Sequence, residues 1–391
     1  MRILLVSAHG ADEAFGGAER YVRELATGLS ARGADPVVLA AFRPRRDDAG
    51  LQTIVLHSTD WREDRVRRLK NHLGDLTAFV GARVTAAVEA VAPDLVHTSN
   101  LPGFSTAVWE AARRSGAPVV HTLHDYHLLC PRTSLLRRDG SPCRPHPLLC
   151  GLRTRRLARW APAVSQVIAG SEHLLRRHAG FFPAASEHVI RLPLAPVAPA
   201  PLPPPADPPR SVGFLGTLGP NKGVRELLAA ALALGREGAT VRIAGDGSLR
   251  AEVEAAAARG SVVYEGPVSG ARKIRFLAEC DVGLVPSLWD EPSGPPYVVC
   301  EWIAAGRPVL ATPRGGLREA IENVGGVCPV EPTAEGIATA VTDLFREPRW
   351  REVLATLPRI EDDRDLDRWL DEHERVHRAA LGALAVSGAR A

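Results

Sequence analysis

The stretch Asp281–Gly316, DVGLVPSLWDEPSGPPYVVCEWIAAGRPVLATPRGG, constrains the fold more than any other part of the chain. It opens with a short apolar strand ending at Pro286 and Ser287. A Pro/Gly-rich loop follows with Asp290 and Glu291, then an apolar run, YVVCEWIAA, that reads as a helix start stopped by Gly306 and Pro308. A second strand, PVLAT, ends in Arg314-Gly315-Gly316. Strand, loop, helix and strand in so few residues make a βαβ unit, which implies a parallel sheet. In such sheets ligands bind beyond the carboxyl ends of the strands, where this loop must lie. Glu301 sits among VVC and WIAA, and a carboxylate buried there needs a partner. A ligand hydroxyl would serve, and so would the backbone amides of its own helix start.

The remaining chain has the same plan. RILLVSA, the loop HGADEAFGG and a helix from about Ala18 to Arg32 lead into PVVLA. Tyr21, Leu25 and Leu29 recur at helical spacing there, and Gly33 is placed to end the helix. Asp60 to about Ala90 reads as helical, and DLVHTS, PVVHTLHD and QVIAG continue the alternation of strands and helices. Ser171 is a good N-cap for SEHLLRRH. Leu192 to Arg210 is proline-rich, extended and semi-rigid, and reads as a linker. SVGFLGT, TVRIAG and SVVYEG with intervening helices then lead back to the opening stretch, and DLDRWLDEHERVHRAALGAL closes the chain as one long helix that begins near Asp362–Asp365. The expected architecture is α/β, with Rossmann-like domains over 1–191 and 211–365 joined by the linker 192–210 and separated by a cleft.

Length and composition agree with this. A chain of 391 residues suffices for two domains, and 45% apolar with 24% charged residues is ordinary globular usage. A net charge of +3 is too small to argue for nucleic acid, and no nucleic-acid partner is expected. Only Lys70, Lys222 and Lys273 are lysines among 48 basic residues. Arg65–Lys70 and Arg153–Arg159 could touch anionic lipid peripherally, although solvated helix faces are the plainer reading. MRILLVSA is too short for a signal peptide, and no segment reaches the ~18 apolar residues of a membrane span. The cytoplasm is the expected compartment. GADEAFGG does not fit the GxGxxG fingerprint, which counts against an NAD enzyme. Cys130, Cys143 and Cys150 share a loop with His127 and His146, enough ligands for zinc, but without CxxC spacing. Reduced loop cysteines and no metal are expected.

Several motifs carry chemistry. GFLGTLGPNKGVRELL places Gly216, Gly219 and Lys222-Gly223 between a strand and a helix, where backbone N–H groups and a lysine favour an anion. His124 and Asp125 end the strand PVVHTLHD, at the carboxyl edge of its sheet. Gly245, in IAGDGSLR, and Pro267-Val268 follow two further strands. Gly16 and Gly17 precede the first helix, where the backbone can come close to a ligand.

Taken in order, these motifs resemble the retaining glycosyltransferases of family 4, which have the GT-B fold. The resemblance covers nearly the whole chain. It implies two Rossmann-like domains facing each other across a cleft, with 366–391 packing back on the first. It implies transfer of a sugar from a nucleoside diphosphate donor, UDP favoured, to an acceptor hydroxyl in cell-surface glycan or natural-product synthesis. Divalent metal and other cofactors are not implied. By the same resemblance, Glu291 holds the donor sugar, Glu301 the ribose and Lys222 the diphosphate, while His124 lies beside the reacting carbon. Gly16, Gly17, Gly216, Thr217, Gly245, Pro267, Val268, Ser293, Gly294, Tyr297 and Val298 complete the donor side. Asn100, Asp125, Tyr126 and Arg132 are candidates for the acceptor. The pattern departs twice. Thr217 stands where the family has arginine, so Arg314 or another arginine must supply the second cation. Nine residues separate Glu291 from Glu301, two more than is usual. Either the GPP loop bulges, or Ser293 takes the place of the first glutamate. A nucleotide-sugar epimerase of the same fold and a non-catalytic, nucleotide-binding partner subunit are the alternatives.

Overall fold

The structure is a computed structural model that describes all residues except 12–15, 43–49, 58–81, 138–139, 144–146, 199–200, 361–363 and 389–391. The chain divides into two compact units. The first comprises Met1–Arg137, Ser141–Ile190 and Arg368–Ala391, and the second Arg138–Gly140 with Arg191–Asp367.

The first unit holds a seven-stranded sheet of order β3-β2-β1-β4-β5-β6-β7. Its strands are β1 (Arg2–Ser7), β2 (Asp35–Phe42), β3 (Gln52–His57), β4 (Leu95–Thr98), β5 (Val119–Leu123), β6 (Val164–Ala169) and β7 (Ser186–Val189). Every pairing is parallel. Runs such as ILLV and VVLAAF are therefore buried on both faces, which is why they are continuous rather than alternating. The helix Gly17–Ala31 covers the sheet with Tyr21, Val22, Leu25 and Leu29. Of the helical region expected from Asp60, the described part is the helix Ala82–Val91, and the remainder, with Arg65–Lys70, lies outside the described residues. Ser171 caps its helix, accepting from the Leu174 N–H at 3.1 Å.

The final helix, Arg364–Gly388, packs on this unit from Arg368 onward. Gly28 makes room for it, since a Cβ there would lie 2.5 Å from Leu370 Cδ1. Arg32 Nη1 also reaches Asp371 Oδ1 at 2.7 Å. Deeper, Tyr21 bonds His373, and its hydroxyl lies 3.1 Å from Thr122 Oγ1. His97 joins Thr122 Oγ1 at 2.7 Å and His377 Nε2 at 2.9 Å. Burial holds the His97 imidazole well below the ordinary histidine range, His373 at about 3 and His377 at about 4.

The second unit holds a six-stranded sheet, β10-β9-β8-β11-β12-β13, again wholly parallel. Its strands are β8 (Ser211–Leu215), β9 (Thr240–Ala244), β10 (Val263–Gly266), β11 (Val282–Val285), β12 (Val309–Ala311) and β13 (Val327–Pro329). Both sheets reverse strand order beside their first strand, between β1 and β4 and between β8 and β11. That is the switch point at which such sheets bind ligands. Gly213 and Gly283 are partners across β8 and β11, and a Cβ on either would come within about 2.5 Å of the Trp302 ring. The two glycines form a floor for a fully buried indole, and the indole fixes the helix Tyr297–Ala304 that carries Glu301.

The proline-rich segment is tied to this unit. Arg307 donates to the carbonyls of Pro203 at 2.7 Å and Ala278 at 3.0 Å. Asp281 accepts from the amides of Ala206, Arg210 and Ser211 at 2.7–2.9 Å. Prolines lack the N–H needed to join a sheet, so these side chains hold the segment instead. Among the described residues no helix is long and apolar enough to cross a membrane.

Candidate functional site

In the second unit the site is assembled from the carboxyl ends of β8, β9 and β11. After β8 the chain passes Gly216 and the exposed Thr217, makes a 3₁₀ turn over Pro220–Lys222, and enters the helix Val224–Arg236 through Gly223. Gly223 has φ +73°, and a Cβ there would lie 2.0 Å from the Pro286 carbonyl oxygen. Only glycine permits this approach of loop to strand end. Gly245 is as close to Gly216, with a Cβ 1.8 Å from its carbonyl oxygen. The opening of the helix leaves backbone N–H groups beside Lys222.

Lys222 Nζ lies 2.6 Å from Glu291 Oε1 and 5.0 Å from the centre of the Trp289 ring. Glu291 is 5% exposed, and the same oxygen accepts from Ser287 Oγ at 2.5 Å. The backbone of Glu291 is fixed by a bridge to Gly315 and by the Gly316 N–H at 2.7 Å. Gly294 and Gly316 pack backbone to backbone beside it. Pro295 and Pro296 immediately precede the helix Tyr297–Ala304. It is Glu291, and not Ser293, that meets Lys222. Arg314 is exposed and donates to the Leu288 carbonyl at 2.7 Å.

Glu301, 8% exposed, accepts from Lys273 Nζ at 2.8 Å. Tyr297 and Val298 are half-buried in the first turn of the same helix. Pro267 is exposed beyond β10, while Val268 packs on the core. A cavity of about 630 Å³ in this unit, lined by Val330, Glu331, Thr333, Asp343 and Arg349, holds none of these residues. It lies beside the end of β13 and the helix Ala334–Leu344 and includes no residue from the ends of β8, β9 and β11.

The first unit gathers a separate set of groups. Gly16 and Gly17 are exposed before the first helix, and the buried Glu19 follows in its first turn. Glu19 Oε1 lies 3.4 Å from His9 Nδ1 and 3.5 Å from Asn100 Nδ2. Beyond β5, His124 stands edge-on to Tyr21 at 4.7 Å, and among the described residues its buried Nε2 has no hydrogen-bond partner. Burial lowers the His124 imidazole to about 4, with the Glu19 charge opposing. Asp125 accepts from the His127 N–H at 2.7 Å, and burial, reinforced by Glu19, raises its carboxyl to about 6. At neutral pH His124 is a neutral imidazole and Asp125 a carboxylate. Ser99, Asn100, Thr122, His124 and Asp125 line one hollow. Tyr126 is fully buried instead, with its hydroxyl 3.1 Å from His173 Nε2, and Arg132 is exposed with a long contact to the Leu136 carbonyl.

The cysteines are free thiols. Burial and the neighbouring Cys130 and Cys143 raise the Cys150 thiol. Among the described residues no group of three or more His, Cys, Asp or Glu is arranged to hold a metal ion, and His146 lies outside them.

Sequence reasoning did not single out His9, Glu19, Ser287, Trp289 or Lys273 as site residues. Two of them leave a signal. Glu19 follows the glycine pair at helix-start spacing, and Lys273 is one of only three lysines.

Paired Rossmann-like sheets with these strand-end loops form the GT-B fold of glycosyltransferases. Residues 15–194 match the family described as Glycosyltransferase Family 4, and residues 209–347 match Glycosyl transferases group 1. The chain belongs to glycosyltransferase family 4 and is a transferase. It is 27% identical over 338 residues to an uncharacterized 42.6 kDa protein in the cps region of Klebsiella pneumoniae, covering 82% of this chain and 87% of that one. It is 32% identical over 180 residues to the 2-deoxystreptamine glucosyltransferase of Streptomyces kanamyceticus, covering 44% of each. Among solved structures, Anabaena HepE in complex with UDP and glucose is similar with a TM-score of 0.62 at 18% identity, covering 98% of this chain and 99% of that chain.

Proposed function

We propose that the protein transfers a sugar from a nucleoside diphosphate donor, a UDP-sugar by preference, to an acceptor hydroxyl with retention of anomeric configuration. The observation that carries this reading is the joining of Lys222 and Glu291 at the switch point of the second sheet, one helix start away from the Lys273–Glu301 pair. A diphosphate requires cation and helix N–H groups, and Lys222 with the start of Val224–Arg236 offers both. Sugar and ribose hydroxyls require buried acceptors, and Glu291 and Glu301 are such acceptors. The UDP complex of HepE favours UDP as the nucleotide.

On donor binding Lys222 turns from Glu291 to the diphosphate and stabilises the charge that develops as the glycosidic bond breaks. Glu291, relieved of its lysine, accepts from donor-sugar hydroxyls. The acceptor hydroxyl attacks from the face the diphosphate leaves, and the departing phosphate oxygen takes its proton. His124 is assigned to the reacting sugar; being neutral, it can direct a hydroxyl without adding charge beside a cationic centre. Lys222 and the helix N–H groups take the part a divalent ion plays elsewhere, so activity should survive chelation. Arg314, beside Leu288, is the candidate second cation in place of the arginine that Thr217 replaces.

The acceptor belongs to cell-surface glycan or natural-product synthesis, a reading for which the likeness to the cps-region protein and to 2-deoxystreptamine glucosyltransferase is the support. We infer a cytoplasmic enzyme with peripheral membrane contact, a reading supported by the exposed Leu148, Leu149 and Leu152, which share a helix with Arg155 and Arg156.

Calorimetry with UDP-, GDP- and dTDP-sugars tests the donor site. One nucleotide series should bind, and Lys222→Ala and Glu301→Ala should each weaken it. Absence of binding from every series by the folded protein would overturn the assignment.

A further inference from the structure

Lys273 enters the proposed function only as the partner of Glu301 and has no role of its own there. It comes from the helix Ala271–Ala278 and reaches Glu301, 28 positions away, at 2.8 Å. The carboxylate is nearly buried and its ammonium partner is 30% exposed, so the pair presents its cationic member to solvent. Glu301 is held between Cys300 and the wholly buried Trp302, and its backbone has little freedom.

The identity of the cation is informative. In a chain with 48 Lys and Arg residues, three are lysines, and two of those three meet Glu291 and Glu301. An arginine fork tends to occupy both oxygens of a carboxylate. A lysine is a point donor that engages one oxygen and has three N–H groups to distribute. A carboxylate meant to accept from a ligand while paired therefore needs lysine.

We propose that Lys273 is a specificity residue that reads the ribose diol jointly with Glu301, so that the donor is a ribonucleoside diphosphate sugar and not its 2′-deoxy counterpart. This rests on the assignment of Glu301 to the ribose. Each hydroxyl of a vicinal diol donates once and accepts. The carboxylate accepts from the diol, and the ammonium donates to a diol oxygen with an N–H that Glu301 does not use. Removing the 2′-hydroxyl leaves one of these partly buried groups without its ligand partner, and sites built around a hydroxyl reject the analogue that lacks it.

The test is calorimetric titration of the full-length protein with matched pairs: UDP and 2′-deoxy-UDP, ADP and 2′-deoxy-ADP, GDP and 2′-deoxy-GDP. Wild type should prefer the ribo member of the pair that binds by about ten- to a hundredfold. Lys273→Met should weaken the ribo member about tenfold and leave the deoxy member nearly unchanged, collapsing the ratio. Lys273→Arg keeps the charge but should also lose discrimination, because its fork engages the carboxylate. Lys222→Met should weaken both members alike and preserve the ratio. Equal wild-type affinity for both members, or equal weakening of both by Lys273→Met, would overturn the proposal and leave Lys273 a structural ion pair. If no pair binds at all, the donor site itself fails, an outcome distinct from binding without discrimination.

Discussion

Replacing Lys222 by methionine keeps the length of the stem and removes the charge opposite Glu291. The carboxylate is 5% exposed and would retain only the Ser287 hydroxyl, which already lies 2.5 Å from the same oxygen. Breaking a fully buried ion pair costs about 3–5 kcal/mol because the remaining charge is uncompensated. The lysine side chain is 28% exposed, so solvent screening brings the expected loss to about 2 kcal/mol. Glu291→Gln should cost less, since the amide can still meet Ser287. The double variant should lose less than the sum of the two, with a coupling of about 1–2 kcal/mol. Donor binding should respond differently. Loss of a charge-assisted hydrogen bond to the diphosphate removes about 1.5–3 kcal/mol, or roughly 10- to 150-fold in affinity. Urea unfolding of the four proteins gives the first quantity and calorimetry with the bound nucleotide the second. Additive stability losses would refute the pairing argument, and unchanged nucleotide affinity in Lys222→Met would refute the phosphate role.

Three further outcomes follow from particular contacts. Gly223→Ala places a methyl group 2.0 Å from the Pro286 carbonyl oxygen at φ +73°, so donor affinity should fall at least about tenfold and thermal unfolding should move several degrees lower. Gly283→Ala drives a Cβ to 2.4 Å from the Trp302 ring and should cost about 1–3 kcal/mol in urea unfolding, more than Gly238→Ala away from the indole would lose through its own positive φ. Stability should also fall with acid. His97, His373 and His377 have folded-state values below the ordinary 6.5, so the unfolded chain binds protons first; their stabilising contribution is complete above about 6.5 and is lost as pH drops toward 4, at about 1.4 kcal/mol per pH unit for each. Asp125, raised to about 6, acts in the opposite sense below that value, so His377→Phe should flatten the pH profile of unfolding and Asp125→Asn should steepen it. A profile level between pH 7 and 5 would contradict the buried-histidine account.

Much of the fold is legible because parallel strands buried on both faces announce themselves as apolar runs, and glycines and prolines punctuate them. SVGFL, TVRIA, VGLV and VVHTL all form strands where their sequences place them. The last part of the second unit is less legible. The helices Gly316–Asn323, Ala334–Leu344 and Arg349–Ala355 and the three-residue strand Val327–Pro329 are short, and no distinctive residues mark them. Of the site, Lys222, Glu291 and Glu301 stand out as charges in glycine-rich or apolar settings. What pairs with them does not, because the Lys273–Glu301 contact depends on two helices meeting in space. Glu19 illustrates the same limit, since an acidic residue in a first helical turn reads as a solvated cap until the fold buries it against His9 and Asn100. Tyr126 is the converse: a loop aromatic that reads as a binding surface is packed against His173 and His178.

The most direct measurement is a crystal structure with the nucleoside diphosphate that calorimetry selects. The account predicts the diphosphate at the start of the helix Val224–Arg236 within hydrogen-bond distance of Lys222 Nζ, with the ribose hydroxyls on Glu301 and Lys273. A nucleotide bound elsewhere, for example beside Glu19 and His124, with Lys222 still paired to Glu291, would contradict it.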